Sequence, residues 1–157
     1  MDEKALTLDL SNLQKTKISV KHNDDDIRDL YLNLSDINII VRFKEKYKEL
    51  QELESKAFST IGSKPVNTEN NAEEILNLAD ALSEVDTQMR ECIDYIFDSN
   101  VSEVCVPFGS MYDIVDGEMR CEHVVDAISA LYESNIHKET KKLQSKIKKH
   151  TDKYVKK

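Results

Sequence analysis

The sequence predicts a mainly α-helical protein, either a helical bundle or a helical hairpin, with a small antiparallel β meander at its N-terminus and a long basic helix at its C-terminus. Three observations support this fold class. Apolar residues alternate with polar ones before residue 35, they recur every three or four residues after it, and lysines crowd the C-terminus. At 157 residues the chain has the usual size of one domain.

Three short segments near the N-terminus alternate between apolar and polar residues, as half-buried strands do. Their apolar positions are Leu6, Leu8 and Leu10, then Ile18 and Val20, then Leu30, Leu32 and Leu34. The connections over residues 11–16 and 23–26 are rich in turn-forming residues. We therefore predict a meander of antiparallel strands over residues 5–34.

Helical spacing begins directly after this meander. Ser35 offers an N-cap, and a first helix is predicted over residues 36–61, with Gly62 as its C-terminal cap and a polar loop over residues 63–71. The apolar residues that predict this helix are Ile40, Phe43, Tyr47, Leu50, Leu53 and Ala57.

A second helix is predicted over residues 72–99. Asn71 with Glu74 resembles a capping box, and the apolar residues that follow recur at alternating steps of three and four. These residues are Ile75, Leu78, Leu82, Val85, Met89, Cys92 and Ile96. Such a heptad seam packs either within a bundle or against a second chain, and the sequence leaves both possibilities open.

Residues 101–117 interrupt the helical pattern with a proline, a glycine and an Asp-Gly pair, all of which favour turns. A sparse apolar stripe then predicts a helix over residues 118–137 that leads into a basic helical arm over residues 138–157. The stripe fits one long helix or two helices joined near Asn135.

Charge is distributed unevenly along the chain. The net charge is −8, but residues 138–157 hold nine lysines against Glu139 and Asp152, which gives +7 there and −15 over residues 1–137. We therefore divide the chain into a single acidic domain, residues 1–137, and a basic arm. This asymmetry suits head-to-tail self-association or an arm that meets an acidic partner. An acidic domain disfavours nucleic acid, which the arm alone could still bind.

Residue patterns typical of catalysis, of a cofactor or of a metal site do not emerge. Cys121-Glu122-His123, with Cys92 and Cys105, comes nearest to a metal-ligand set, but it lacks the paired ligands of structural zinc sites. Because Cys92 and Cys121 fall on apolar stripes, we expect them to be buried. The three glycines stand far apart, which excludes known phosphate-binding loops. We expect no enzyme activity, no cofactor and no metal.

Three irregularly spaced cysteines do not form a secreted disulfide framework, and they favour a reducing compartment. The N-terminus lacks the basic and apolar regions of a signal peptide, and no apolar run is long enough to cross a membrane. We therefore expect a cytoplasmic protein that has no contact with the membrane.

The chain from Cys92 to its end carries a more specific pattern. Its segments are Ile93-Asp94-Tyr95-Ile96-Phe97-Asp98-Ser99, Gly109-Ser110-Met111-Tyr112-Asp113, Glu122-His123-Val124-Val125-Asp126 and His150-Thr151-Asp152-Lys153-Tyr154. Together with a looser likeness over residues 31–46, this pattern resembles a family of small phage and prophage proteins of low-GC Gram-positive hosts. Members of that family are thought to be tail assembly chaperones of long-tailed phages.

The resemblance implies a non-catalytic protein that self-associates and holds the tape measure protein, and possibly tail tube subunits, while the tail assembles. We expect the partner-binding side chains to lie in the basic arm, at Lys138, Lys141, Lys142, Lys146, Lys149, Lys153 and Tyr154. The alternatives are a permanent structural component of the tail or virion, an adaptor, and, less favoured, a nucleic-acid binder that uses the lysines.

Overall fold

The computed structural model describes residues 5–11, 15–62 and 72–155, with the backbone alone at residues 150 and 152–155. Its elements are β1 (Thr16–Asn23), β2 (Asp26–Leu32), α1 (Asn38–Gly62), α2 (Ala72–Phe97), α3 (Val101–Cys105), β3 (Ile114–Val115), β4 (Glu118–Met119) and α4 (Arg120–Val155). The predicted fold class is confirmed, because the protein is mainly helical with a small antiparallel sheet before its helices.

Strands β1 and β2 form an antiparallel hairpin in which Ile18 lies opposite Leu30. Leu30 and Leu32 are buried and Ile18 is partly buried, as their alternation predicts. The predicted strand that contains Leu6, however, does not form, and the Leu6 side chain is fully exposed. An alternating pattern of apolar residues indicates which face of a strand is buried. A strand also needs a neighbouring strand to pair its backbone N–H and C=O groups, and the pattern does not show whether one is present. Part of the connection before β1, residues 12–14, lies outside the described residues.

Helix α1 begins at Asn38, later than predicted, and Ser35 is not its cap. At the start of the helix, a carboxylate oxygen of Asp36 instead accepts a hydrogen bond from the backbone N–H of Asn38, at 3.0 Å. Ile39 is buried whereas Ile40 is 64% exposed, although the sequence favours Ile40. Ile39 lies on the same face of α1 as the buried residues further along the helix. The spacing of apolar residues alone does not identify which of two adjacent isoleucines is buried. Those buried residues are Leu50, Leu53 and Ala57.

Helix α2 ends at Phe97 because Asp98 adopts a left-handed conformation, with φ of 48°. The second half of its heptad seam is buried; it consists of Val85, Met89, Cys92 and Ile96. In the first half, Ile75 is exposed and Leu78 and Leu82 are half-buried. The predicted capping residue, Asn71, and the predicted polar loop lie outside the described residues.

A short helix that the sequence did not predict, α3, follows α2. Asp94 on α2 accepts hydrogen bonds from the backbone N–H and the hydroxyl of Ser102, at 2.7 and 2.8 Å. This carboxylate therefore holds the first turn of α3, where backbone N–H groups lack helical partners. His22 of β1 makes a 2.7 Å hydrogen bond with the carbonyl of Val104, which ties α3 to the hairpin.

The predicted Asp-Gly turn is present between β3 and β4. Asp116 and Gly117 both have positive φ, 52° and 80°, as the tightest two-residue hairpin requires. Because residues 118–119 pair within this hairpin, α4 begins at Arg120 rather than at residue 118.

Helix α4 is one continuous helix of 36 residues, which is one of the two arrangements that its sequence allows. Cys121, Ile128 and Tyr132 are buried in its first half. Asn135 donates a hydrogen bond to the carbonyl of Leu34 at 3.1 Å, where the helix leaves the rest of the protein. Every residue from 138 to 149 is exposed. This second half of α4 is the basic arm.

Candidate protein-binding groove and basic arm

Helix α4 runs antiparallel to α1. Near the start of α4, the Cys121 thiol lies 3.5 Å from a carboxylate oxygen of Glu54, which is in the second half of α1. Fourteen residues further on, Asn135 contacts Leu34, just before α1 begins. The arm therefore extends past the N-terminal end of α1.

A groove of about 650 Å³ lies between the start of α1, the end of α2 and the middle of α4. Its apolar lining consists of Ile39, Ile40, Phe43, Ile96, Phe97, Val125, Tyr132 and Ile136. Ile96 and Phe97 are buried, whereas Ile40 is exposed and leaves the groove open to solvent. Asp126, Glu133 and His137 supply its charged or titratable edge. An open apolar concavity with a polar edge is typical of a binding site.

The apolar lining of the groove continues along the arm. Ile136 lines the groove, and Leu143 and Ile147 follow it by seven and eleven residues, which places all three on one face of α4. The side chains of Leu143 and Ile147 are 57% and 55% exposed. We call this face the apolar stripe; it leads from the groove into solvent.

The predicted partner-binding lysines lie on other faces of the same helix. Lys138, Lys142 and Lys149 are exposed and project opposite the apolar stripe, and Lys146 projects to one side of it. Lys141 is also exposed. For Lys153 and Tyr154 the structure describes only a helical backbone, so the role of their side chains stays a prediction.

Burial governs the chemistry of the three cysteines. Cys92 and Cys121 are buried, as predicted, and burial raises the pKa of both thiols, to about 11 for Cys92 and higher for Cys121. Burial also raises the pKa of Cys105 to about 11. All three thiols are therefore protonated near neutral pH and are poor nucleophiles.

Cys121 and His123, the centre of the only metal-like sequence pattern, point to different neighbours. Cys121 faces Glu54, whereas the His123 ring contacts the carbonyl of Val115 at 2.7 Å and Glu118 at 3.6 Å. Within the described residues, no three His, Cys, Asp or Glu side chains come close enough to hold a metal ion. No helix in the described part of the chain is long and apolar enough to cross a membrane.

Ile39 is a groove residue that the sequence pattern misses, because the pattern favours the adjacent Ile40. Tyr132, in contrast, is one of the apolar residues whose spacing predicts α4. Its ring stacks on Phe97 with the centroids 6.0 Å apart, and only 3% of the residue is exposed. Burial raises the pKa of its hydroxyl to about 12. Among the described residues, this hydroxyl is buried without a hydrogen-bond partner. The apolar stripe itself has a sequence signal, the spacing of Ile136, Leu143 and Ile147.

No known protein family, curated protein or solved structure matches this chain. The structural features that bear on function are the groove, the apolar stripe and the charges around them. Their common property is a solvent-facing apolar surface that a second protein segment can cover.

Proposed function

We propose that this protein is a non-catalytic phage tail assembly chaperone that binds the tape measure protein, with tail tube subunits as a second candidate client, in the cytoplasm of the host cell. The observation that carries the proposal is the open apolar groove and its continuation as the apolar stripe of the arm. The family resemblance of the chain from Cys92 onward supplies the identity of the client.

The shape of this surface favours a helical client. The apolar stripe runs along α4 from Ile136 to Ile147, a length of about 16 Å at 1.5 Å per residue. An amphipathic helix lays one apolar face into such a groove, with anchors spaced three, four and seven residues apart. Lys146, which projects to one side of the stripe, would then attract an acidic residue at the edge of the client helix.

The polar groups at the groove support binding rather than catalysis. Its titratable lining residues are Asp126, Glu133, His137 and Tyr132. The Tyr132 hydroxyl is buried and burial raises its pKa to about 12, so it does not ionise readily, and Asp126 and Glu133 lie at the exposed edge. A catalytic site would need an activated nucleophile or a paired acid and base at this surface.

Co-purification with the tape measure protein of the same phage tests the proposal. Ile40→Glu places a charge in the groove, and Val41→Glu places the same charge on the next residue, which is exposed but does not line the groove. We expect Ile40→Glu to reduce client recovery strongly and Val41→Glu to leave it unchanged. Equal recovery with both variants would exclude the groove as the client site.

Mass spectrometry of purified phage particles separates a chaperone from a permanent structural component. A chaperone leaves its client before the particle is complete, so we expect this protein to be absent from finished tails. If it is present in a fixed ratio to the tail tube subunit, the structural alternative replaces the proposed function.

A further inference from the structure

We propose that the surface where α1 ends and α2 begins is a second docking site, which binds a basic amphipathic helix of another protein. The surface consists of Phe58 and Ile61 on α1 with Ile75, Leu78 and Leu82 on α2, and we call it the α1–α2 patch. Phe58 lies eighteen residues, or about 27 Å, along α1 from Ile40 of the groove. Docking at this patch goes beyond the proposed function and does not depend on it, because the patch is separate from the groove.

The α1–α2 patch combines apolar side chains of both helices. Helices α1 and α2 run antiparallel, with Tyr95 of α2 hydrogen-bonded to Glu45 of α1 at 2.6 Å. Phe58 follows Glu45 by thirteen residues and Leu82 precedes Tyr95 by thirteen, so Phe58 and Leu82 lie at the same level of the helix pair. Ile61 follows about one turn later on α1.

Helix α4 stops short of the α1–α2 patch. It begins at Arg120, and the Cys121 thiol lies 3.5 Å from a carboxylate oxygen of Glu54. Because α4 runs antiparallel to α1, it leads from Glu54 toward the start of α1 and leaves the last two turns of α1 uncovered. Phe58 is accordingly 65% exposed and Ile61 is 45% exposed. These large apolar side chains are available to a partner.

The surroundings of the α1–α2 patch are acidic. Residues 50–62 and 72–89 contain seven acidic residues and one basic residue, Lys56. Lys56 precedes Phe58 by two positions, so the two side chains point in nearly opposite directions. Glu54 precedes Phe58 by four positions and lies on the same face of α1. A helix that covers Phe58 therefore gains affinity from a basic side chain about one turn away from its apolar anchors.

A cleft of about 230 Å³ between α1 and α4, beside Glu54, can receive that basic side chain. Its lining includes Glu54, Glu122 and Asp126 and no lysine or arginine. Among the described residues, neither Glu54 nor Glu122 takes part in an ion pair. Burial and repulsion from Glu122 raise the pKa of Glu54. A cation between these two carboxylates would relieve the repulsion, which favours a lysine or arginine of the partner.

The spacing of the site favours a foreign helix over segments of this chain. Glu54, Phe58 and Ile61 match a helix whose basic residue has apolar residues four and seven positions away. In the basic arm, residues 138–157, no lysine has an apolar residue four positions before or after it. The connection over residues 63–71 contains one large apolar residue, Val66, which is too few to cover the patch.

Titration of the full-length protein with two synthetic helical peptides, followed by calorimetry, tests the docking. The basic peptide carries leucines four and seven residues after each lysine, and the acidic peptide has glutamate in place of every lysine. We expect the basic peptide to bind and the acidic peptide not to bind. Phe58→Ser with Ile61→Ser should weaken binding of the basic peptide by about tenfold or more. Ile27→Ser with Tyr31→Ser removes two exposed apolar side chains from β2 and should leave binding unchanged.

A second pair of variants tests the role of charge. Glu54→Gln with Glu122→Gln should weaken binding of the basic peptide by about tenfold or more. Glu73→Gln with Glu84→Gln removes the same charge from exposed positions of α2 and should have little effect, because each residue is two positions from a patch residue and points away from it. Circular dichroism should show the wild-type helical content in every variant.

Four results would overturn the proposal. The first is a basic peptide that does not bind, or that binds no better than the acidic one. The second is undiminished binding to the Phe58→Ser with Ile61→Ser variant. The third is loss of binding in Ile40→Glu, which would place the peptide in the groove. The fourth is self-association of the wild-type chain that disappears in the Phe58→Ser with Ile61→Ser variant by sedimentation, which would make a second copy the occupant.

Discussion

Arg90 and Asp86 form an ion pair on α2, with the guanidinium Nε 2.8 Å from a carboxylate oxygen, and the pair holds the irregular segment between α3 and β3. Asp86 also accepts the backbone N–H of Met111 at 2.7 Å. Arg90 donates hydrogen bonds to three backbone carbonyls, those of Ser102, Val106 and Gly109. Two side chains of one helix thereby bind four backbone groups, one in α3 and three in the segment that follows it.

We expect Arg90→Met to lower the free energy of unfolding by about 2–4 kcal/mol. The change removes the ion-pair partner of Asp86 and the donor to three backbone carbonyls, two of which are in partly buried hydrogen bonds. Urea denaturation measures the effect, and Lys48→Met, at an exposed position of α1, is the control and should change stability by less than about 0.5 kcal/mol. If the two variants are equally stable, the segment does not depend on Arg90.

The two halves of the α2 seam should respond differently to truncation. Met89 is fully buried, so Met89→Ala should cost about 2–5 kcal/mol through lost apolar contacts and a cavity. Ile75→Ala, at an exposed seam position near the start of α2, should cost about 0.5 kcal/mol or less. Chemical denaturation of both variants measures the difference. A large loss of stability in Ile75→Ala would show that a second chain covers the first half of α2.

Tyr132→Phe should leave stability unchanged or raise it by about 1 kcal/mol. The substitution keeps the ring that stacks on Phe97 and removes a buried hydroxyl without a partner among the described residues. Tyr95→Phe is the matched control, because it removes a hydroxyl that donates to Glu45 at 2.6 Å, and it should not stabilise the protein. A loss of stability in Tyr132→Phe, measured by thermal unfolding, would show that the hydroxyl has a partner in solution.

The buried thiol of Cys92 makes stability depend on pH in the alkaline range. Its pKa is raised to about 11 in the folded protein from an ordinary 9.0, so the unfolded chain loses this proton first. Below pH 9 the protonated Cys92 thiol makes its full contribution to the free energy of unfolding. This contribution is lost as pH rises toward 11, with a slope of about 1.4 kcal/mol per pH unit. Wild-type protein should therefore lose stability faster than Cys92→Ala between these values. If the stability of the two proteins falls equally with pH between 9 and 11, the Cys92 thiol is not buried as described.

Much of the fold could be predicted because its signals are local. Helix α2 follows from apolar steps of three and four, and the β3–β4 turn follows from Asp116-Gly117, whose conformations the turn itself requires. Helix α3 could not be predicted, because it has only five residues and its first turn depends on Asp94, eight positions away from Ser102. The strand predicted at residues 5–10 does not form, although its apolar residues alternate, because no strand among the described residues pairs with it.

In the candidate site, too, one feature could be predicted from the sequence and another could not. The exposure of Lys138 and its neighbours follows from composition alone, since a helix so rich in lysine has too few apolar residues to be buried. The groove depends on how α1, α2 and α4 cross, which brings Ile40 and Ile136 to one surface although they are far apart in sequence. No periodicity within a single helix contains that information.

Deletion of residues 138–157, followed by co-purification with the tape measure protein at physiological salt, tests whether the arm binds the client. The deletion removes no residue of the buried core among those described, so the remaining body should stay folded and soluble, with its unfolding midpoint little changed. We expect this folded, truncated protein no longer to recover the tape measure protein, because Leu143, Ile147 and the lysines of the arm are gone. Undiminished recovery by the truncated protein would show that the arm is a solvated helix with no part in client binding.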